Sequence, residues 1–260
     1  MQSSTSIIND YKLLTFNQDL FKYILPSGVQ RNSLIILTGE GGSGKSVILI
    51  HLVKDVLTRG EPVIYVALDD DPQTVLSQLE SFGLKTSDYC RDKRLLIIDG
   101  FSYLIKQRKP QYCVEEEINP ENPDTILTAL GRVIEKYGIQ NSGIVVIDSL
   151  NEPMLFLDPT RLVIYIKSLR ANIAKSRNIL TLATLHTSTN SYKEYLLTIE
   201  HIVDGILETS SIPSEIAQQI PFFVRQISVR KIKGVSSRPG WVLYGIDNEG
   251  LKPIVLRIKS

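Results

Sequence analysis

Residues 39 to 46 read Gly-Glu-Gly-Gly-Ser-Gly-Lys-Ser, a glycine-rich run closed by a lysine and a hydroxyl residue. Gly39, Gly41, Gly42 and Gly44 let successive backbone amides turn inward around an anion. Glu40 and Ser43 supply further amides to the same cradle. Lys45 adds a cation that reaches the β- and γ-phosphates, and the Ser46 hydroxyl suits a Mg²⁺ ion. From Val47 onward the pattern is helical, so free amides and the helix dipole add to the pull on an anion. The chemistry implied is binding of a nucleoside triphosphate with Mg²⁺.

Two acidic positions complete a hydrolytic set. Ile144-Val145-Val146-Ile147 is an apolar strand that ends in Asp148. A carboxylate at such a tip, beside a phosphate loop, holds Mg²⁺ or accepts from Ser46. Asp99 follows a similar strand and ranks second for that role. Asp69, Asp70 and Asp71 end another strand, just before Pro72. One of these carboxylates is expected to orient or deprotonate the attacking water. Asp71 reads instead as the N-cap of the next helix, because proline follows it.

The elements that must position these groups alternate. Apolar strands are expected at 34–37, 63–68, 95–98, 143–147, 179–185 and 202–209, with helices at 47–57, 72–82, 125–137 and 159–177. Residues 222–231 and 240–246 read as a closing antiparallel pair. Alternation of this kind predicts a mostly parallel central sheet with helices on both faces, and ligands at the carboxyl ends of its strands. The whole chain, 1–260, is expected to form one domain. Within it, 1–30 is a leader and the polar stretch 106–124 an exposed insertion.

The 43% hydrophobic content supports a substantial core, and a net charge of +1 offers no global basic field for nucleic acid. No run reaches the roughly 20 apolar residues of a membrane span. Cys90 and Cys113 lack metal-ligand spacing and are expected to be free thiols in a cytoplasmic protein.

In order, these motifs resemble the RecA superfamily of P-loop ATPases, in particular its KaiC-like branch with the archaeal RadA paralogues. The resemblance rests on the phosphate loop, the Asp69-to-Gly83 run, Val145-Val-Ile-Asp148-Ser149-Leu150, His201-Ile-Val-Asp-Gly-Ile and Val229-Arg-Lys-Ile-Lys-Gly234. It implies that Asp69 and Asp70 stand where the family has two glutamates, one of them the catalytic base. It also implies that Lys231 and Lys233 stand where a Lys and an Arg reach across a subunit interface to a neighbour's γ-phosphate. A homo-oligomer, commonly a hexameric ring with ATP between subunits, follows from the same resemblance.

Asp in place of Glu shortens the base by one methylene, and Lys233 in place of Arg removes the planar fork that grips phosphate. Both changes point to slow hydrolysis. Three functions stay open: a slow ATPase acting through a protein partner, a recombination accessory that binds single-stranded DNA, and a non-hydrolysing assembly module. Residues 186–197, with one lysine and two tyrosines, read as a surface loop, or as a DNA contact under the second function. His186 is a candidate γ-phosphate sensor, whereas His51 and His201 read as ordinary packing or edge residues.

Overall fold

The computed structural model describes residues 13–105, 112–212, 224–247 and 250–254. A short strand pair, β1 (Leu13–Leu14) and β2 (Val29–Gln30), brackets helix α1 (Asp19–Ile24). The main sheet contains β3 (Leu34–Gly39), β4 (Val63–Ala67), β5 (Leu95–Asp99), β6 (Val114–Glu117), β7 (Ile144–Asp148), β8 (Leu180–His186), β9 (Gly205–Ser211), β10 (Arg225–Ile232), β11 (Trp241–Asp247) and β12 (Gly250–Ile254). Their order across the sheet is β12-β11-β10-β9-β3-β8-β7-β4-β5-β6. From β9 to β6 every neighbouring pair is parallel, and β10, β11 and β12 add antiparallel strands at the other edge. The expected α/β architecture is therefore the observed one, extended by β12.

Helices cover both faces, as parallel strands require. α2 (Lys45–Thr58), α3 (Pro72–Ser81) and α4 (Thr86–Arg91) lie with α1 on one side. α5 (Asp124–Tyr137), α6 (Asn151–Met154), α7 (Pro159–Leu169) and α8 (Asn190–Ile199) lie on the other. Successive strand residues alternate between the two layers. Ile35, Leu37, Val63 and Tyr65 pack beneath α2, while Leu34, Ile36, Ile64 and Val66 pack beneath α5 and α7. This double burial explains why the strands read as unbroken apolar runs. No helix among the described residues is long and apolar enough to cross a membrane.

Three expectations change. Cys90 and Cys113 are bonded to each other rather than free, with Cα atoms 5.1 Å apart. β5 brings them together, because α4 precedes it and the Cys113 carbonyl accepts from Ile97 on it at 3.0 Å. Part of the supposed insertion, Val114–Glu117, is the edge strand β6. Its glutamates are held by partners on α5 and in the turn before β5. Glu115 accepts from Lys93 at 2.7 Å and Lys136 at 2.8 Å, and Glu116 from Arg132 at 2.7 Å. Residues 106–111 of that stretch lie outside the described residues. Residues 190–199 form α8 rather than a loop. The Thr189 hydroxyl caps it by accepting from the Tyr192 amide, and Tyr192 and Tyr195 pack against the second layer.

Candidate nucleotide site

The phosphate loop joins the carboxyl end of β3 to the first turn of α2. Its path needs glycine. Gly39 has φ 151°, and a Cβ there would lie 2.3 Å from the Thr209 carbonyl oxygen. Gly44 has φ 100°, and a Cβ there would lie 2.6 Å from Arg225 Cδ. The loop is braced from β9, where the hydroxyls of Ser43 and Thr209 bond at 2.7 Å. Thr209 in turn donates to the Thr38 carbonyl at 3.0 Å. The Gly41 amide donates to Ser188 Oγ at 3.1 Å, just beyond β8.

Lys45 folds back over the loop. Its amine donates to the carbonyls of Gly39 at 2.9 Å and Glu40 at 2.8 Å. Burial lowers its pKa to about 8, against the pull of Asp148 and Asp69 toward the charged form. Ser46 is exposed on the first turn of α2, with Val47 half-buried beside it. A cleft of about 170 Å³ opens here, lined by Gly42, Gly44, Lys45, Ser46, Val47, His186 and Arg225.

Asp148 ends β7 beside this cleft. It accepts from the Tyr65 hydroxyl at 2.7 Å and from the Thr184 hydroxyl. Burial raises its pKa, these two bonds oppose that shift, and the nearby Asp69 charge adds to it. Its competitor, Asp99, is spent on its own turn, accepting from the amides of Phe101 at 3.0 Å and Ser102 at 2.9 Å.

The three aspartates separate cleanly. Asp69 faces the end of β7 and accepts from Ser149 Oγ at 2.8 Å and the Ser149 amide at 3.2 Å. Its other oxygen lies 3.2 Å from His186 Nε2. Burial would raise Asp69, but His186 and Ser149 hold its carboxyl below the usual range. Asp70 turns outward to Gln78 Nε2 at 3.3 Å. Asp71 caps α3 as expected, accepting from the amides of Gln73 at 3.0 Å and Thr74 at 3.3 Å. The structure thus places Asp69, and not Asp70, against His186 at the edge of the cleft.

Lys231 and Lys233 lie at the opposite end of the sheet. Lys231 pairs with Ile206 in register, and the neighbouring Gly205 sits opposite Ile35 near the start of β3. Lys231 donates to the Glu200 carbonyl, while Lys233 Nζ is 3.8 Å from Asp204. Asp204 is buried and also receives both arms of Arg170, at 2.9 and 2.8 Å, the Leu34 amide at 3.1 Å and Lys175 at 3.4 Å. Burial and the neighbouring Lys233 charge both lower the Lys231 pKa.

Some site residues carry no sequence signal. Arg225 reaches the loop on an antiparallel strand from far along the chain. Asn151 grips His186 through its main chain, accepting from the amide at 2.7 Å and donating to the carbonyl at 3.0 Å. His51 is buried with its ring edge-on to Phe82 at 5.1 Å, and His201 is exposed, as ordinary packing and edge histidines would be.

Known proteins resemble this chain in fold and in sequence. The KaiC-like protein PH0186 of Pyrococcus horikoshii superposes with a TM-score of 0.70 at 18% identity, over 94% of this chain and 100% of that one. The UPF0273 protein MJ1359 of Methanocaldococcus jannaschii is 27% identical over 238 residues, 88% of this chain and 90% of the relative. The circadian clock protein KaiC2 of Synechocystis is 36% identical over 73 residues, 28% of this chain and 13% of that protein. The family described as "ATPase: KaiC" matches residues 18–256. With nearly the whole chain matched, the protein belongs to the KaiC family of ATPase domains.

Proposed function

We propose that this chain binds ATP with Mg²⁺, hydrolyses it slowly, and passes the nucleotide state to protein partners from an assembly of its own copies. One observation carries the reading. The Lys45 amine is anchored on the Gly39 and Glu40 carbonyls at the N-terminus of a 14-residue helix, within the field of Asp69 and Asp148. A triphosphate entering the cleft draws that amine off the carbonyls and onto its own oxygens.

The donor set fits Mg²⁺. Asp148 and the Ser46 hydroxyl are hard oxygen ligands, and a cation offsets the cost of ionising a buried carboxylate. When bound, the ion neutralises charge on the phosphates. Asp69, kept ionised by hydrogen bonds from Ser149 and His186, accepts a proton from the attacking water. His186 lines the cleft and reads the γ-phosphate from the end of β8. Asp69 is one methylene shorter than a glutamate, a retreat of roughly 1.5 Å. A misplacement near 1 Å costs on the order of 10²-fold in rate. Lys231 and Lys233 act on the nucleotide of a neighbouring copy, since they stand at the end of the sheet away from their own.

Fluorescent-ATP binding and phosphate release test this reading on the wild type and on Lys45→Ala. The wild type binds ATP and releases phosphate slowly with Mg²⁺, and Lys45→Ala does neither. Equal ATP affinity in both proteins defeats the binding reading. Tight binding with no release above the Lys45→Ala background leaves a nucleotide-held assembly module and rejects hydrolysis.

A further inference from the structure

β8 runs past the end of its neighbour β7. The register between them closes at Ile147 opposite Ala183, and the Leu150 amide then takes the Thr184 carbonyl at 3.0 Å. Two residues on, the His186 amide and carbonyl face the same side, where β7 has already ended. A main-chain donor and acceptor left unmet there would each cost free energy. Asn151, the first residue of α6, meets both with one side chain. Its Oδ1 accepts from the His186 amide at 2.7 Å, and its Nδ2 donates to the His186 carbonyl at 3.0 Å. A carboxamide carries a donor and an acceptor on one planar fork, and only one orientation of it satisfies both groups.

The end of β8 matters because of what the His186 ring reaches. Its Nε2 lies 3.2 Å from one Asp69 oxygen, while the other accepts from the Ser149 hydroxyl at 2.8 Å. Ser149 Oγ accepts in turn from the Asn151 main-chain amide at 3.3 Å. Asn151 therefore borders both groups that hold Asp69, Ser149 through its main chain and His186 through its side chain. The His186 side chain is 34% exposed, so its aim depends on where the main chain of residue 186 stands.

We propose that Asn151 is a positioning residue for hydrolysis, whose carboxamide sets His186 against Asp69 at the edge of the cleft. The assignment rests on the reading of Asp69 as the base. Asn151 acts through His186 rather than on the nucleotide. Asn151→Ala removes both bonds to His186. Asn151→Asp keeps the acceptor, loses the donor, and sets a carboxylate oxygen against the His186 carbonyl. Neither substitution removes the residue 151 amide, so the bond to Ser149 survives and the carboxamide is tested by itself.

Phosphate release and fluorescent-ATP affinity are measured on the full chain as wild type, Asn151→Ala, His186→Ala and the double variant. Asn151→Ala should lower turnover by up to about 10²-fold, the cost of a misplaced group, with ATP affinity held within about twofold. The double variant should be no slower than His186→Ala, because residues acting as one unit do not add. A second readout needs no turnover. The chain has three histidines, whose ring nitrogens ¹⁵N spectra resolve. Asp69→Ala should shift the His186 Nε2 signal in the wild type and leave it in place in Asn151→Ala. Turnover retained in Asn151→Ala, or losses that add in the double variant, overturns the proposal. So does a His186 signal that ignores Asp69→Ala, or answers it equally with and without the carboxamide. Asn151→Ala that only melts earlier, with rate and ring signal unchanged, assigns a structural role and overturns it too. A wild type that releases no phosphate defeats the hydrolytic reading instead, and the ring spectra still decide whether Asn151 aims His186.

Discussion

The two ends of the central sheet treat their charged groups in opposite ways. At the carboxyl end, Lys45 rests on two main-chain carbonyls with its charge weakened by burial, and Asp69 and Asp148 crowd nearby. At the amino end, Asp204 gathers Arg170, Lys175 and Lys233, and Lys231 is taken by the Glu200 carbonyl. The first end holds strained charge that a triphosphate and a cation would relieve. The second is electrically settled within one chain. A polar group whose native partners are weak is ready for a ligand, whereas one that is fully satisfied must first give up a bond. The loop end is therefore the better prepared for a ligand, and any action by the lysine end requires a neighbour to compete for its lysines.

The largest expected effect comes from removing the proposed base at the loop end. Asp69→Asn should lower phosphate release by about 10²- to 10⁴-fold, the range for a lost general base. ATP affinity should stay within about twofold. Asp70→Asn, by contrast, should change little, because its carboxylate turns outward to Gln78. Equal losses from both substitutions would show that the aspartates rearrange on binding and that their separation in the free protein means nothing for catalysis.

Removing the hub of the other end should act on stability instead. Asp204→Ala frees Arg170, Lys175 and Lys233 from their shared partner and leaves the Leu34 amide unpaired. The cost should be about 3 kcal/mol, at the low end for a broken buried pair because the cations are partly exposed. Denaturant unfolding reads it. ATP affinity below the transition should be unchanged; a matching loss of affinity would mean that the two ends are coupled through β3.

Lys231→Ala asks whether the lysine end acts on a neighbour. Where light scattering shows assembly, turnover should fall about 10- to 100-fold, as for a lost hydrogen bond to a charged group. The dilute monomer should bind ATP as before. Full turnover by a monomer indifferent to this substitution would confine the chemistry to one chain.

The loop end was legible in the sequence because its chemistry is local. Gly39 to Ser46 carries its own geometry, and Asp148 declares itself as the end of an apolar strand. Asp69 and Asp70 were not separable, since adjacent carboxylates differ only in which neighbour they meet across the sheet. Ser149 and His186 decide that, and they stand just past β7 and at the end of β8. Arg225 was invisible for the same reason. Polarity misled elsewhere. Glu115 and Glu116 suggested a loop, but Lys93, Lys136 and Arg132 neutralise them on an edge strand. The pairing of Cys90 with Cys113 depends on β5 running between α4 and β6, which spacing alone does not disclose.

The smallest effect is also the most direct reading of the strained loop. Lys45 has its pKa lowered from 10.5 to about 8 in the free protein, chiefly by burial. Between those values the unfolded chain binds more protons than the folded one, so this residue makes the free protein more stable as pH rises from about 8 toward 10.5. ATP binding must reverse that trend, because the phosphates require the ammonium form. At pH 7 the amine is already charged, and binding should take up almost no proton through it. At pH 9 binding should take up close to one proton, with affinity falling about tenfold per pH unit above 8. Calorimetry in buffers of different ionisation enthalpy measures the uptake. Lys45→Arg should flatten the affinity profile, since arginine stays charged throughout. Flat wild-type affinity from pH 7 to 10, without proton uptake, would mean that Lys45 keeps its charge in the free protein. The loop end would then be as settled as the Asp204 end, and readiness for a triphosphate would have to come from the backbone amides alone.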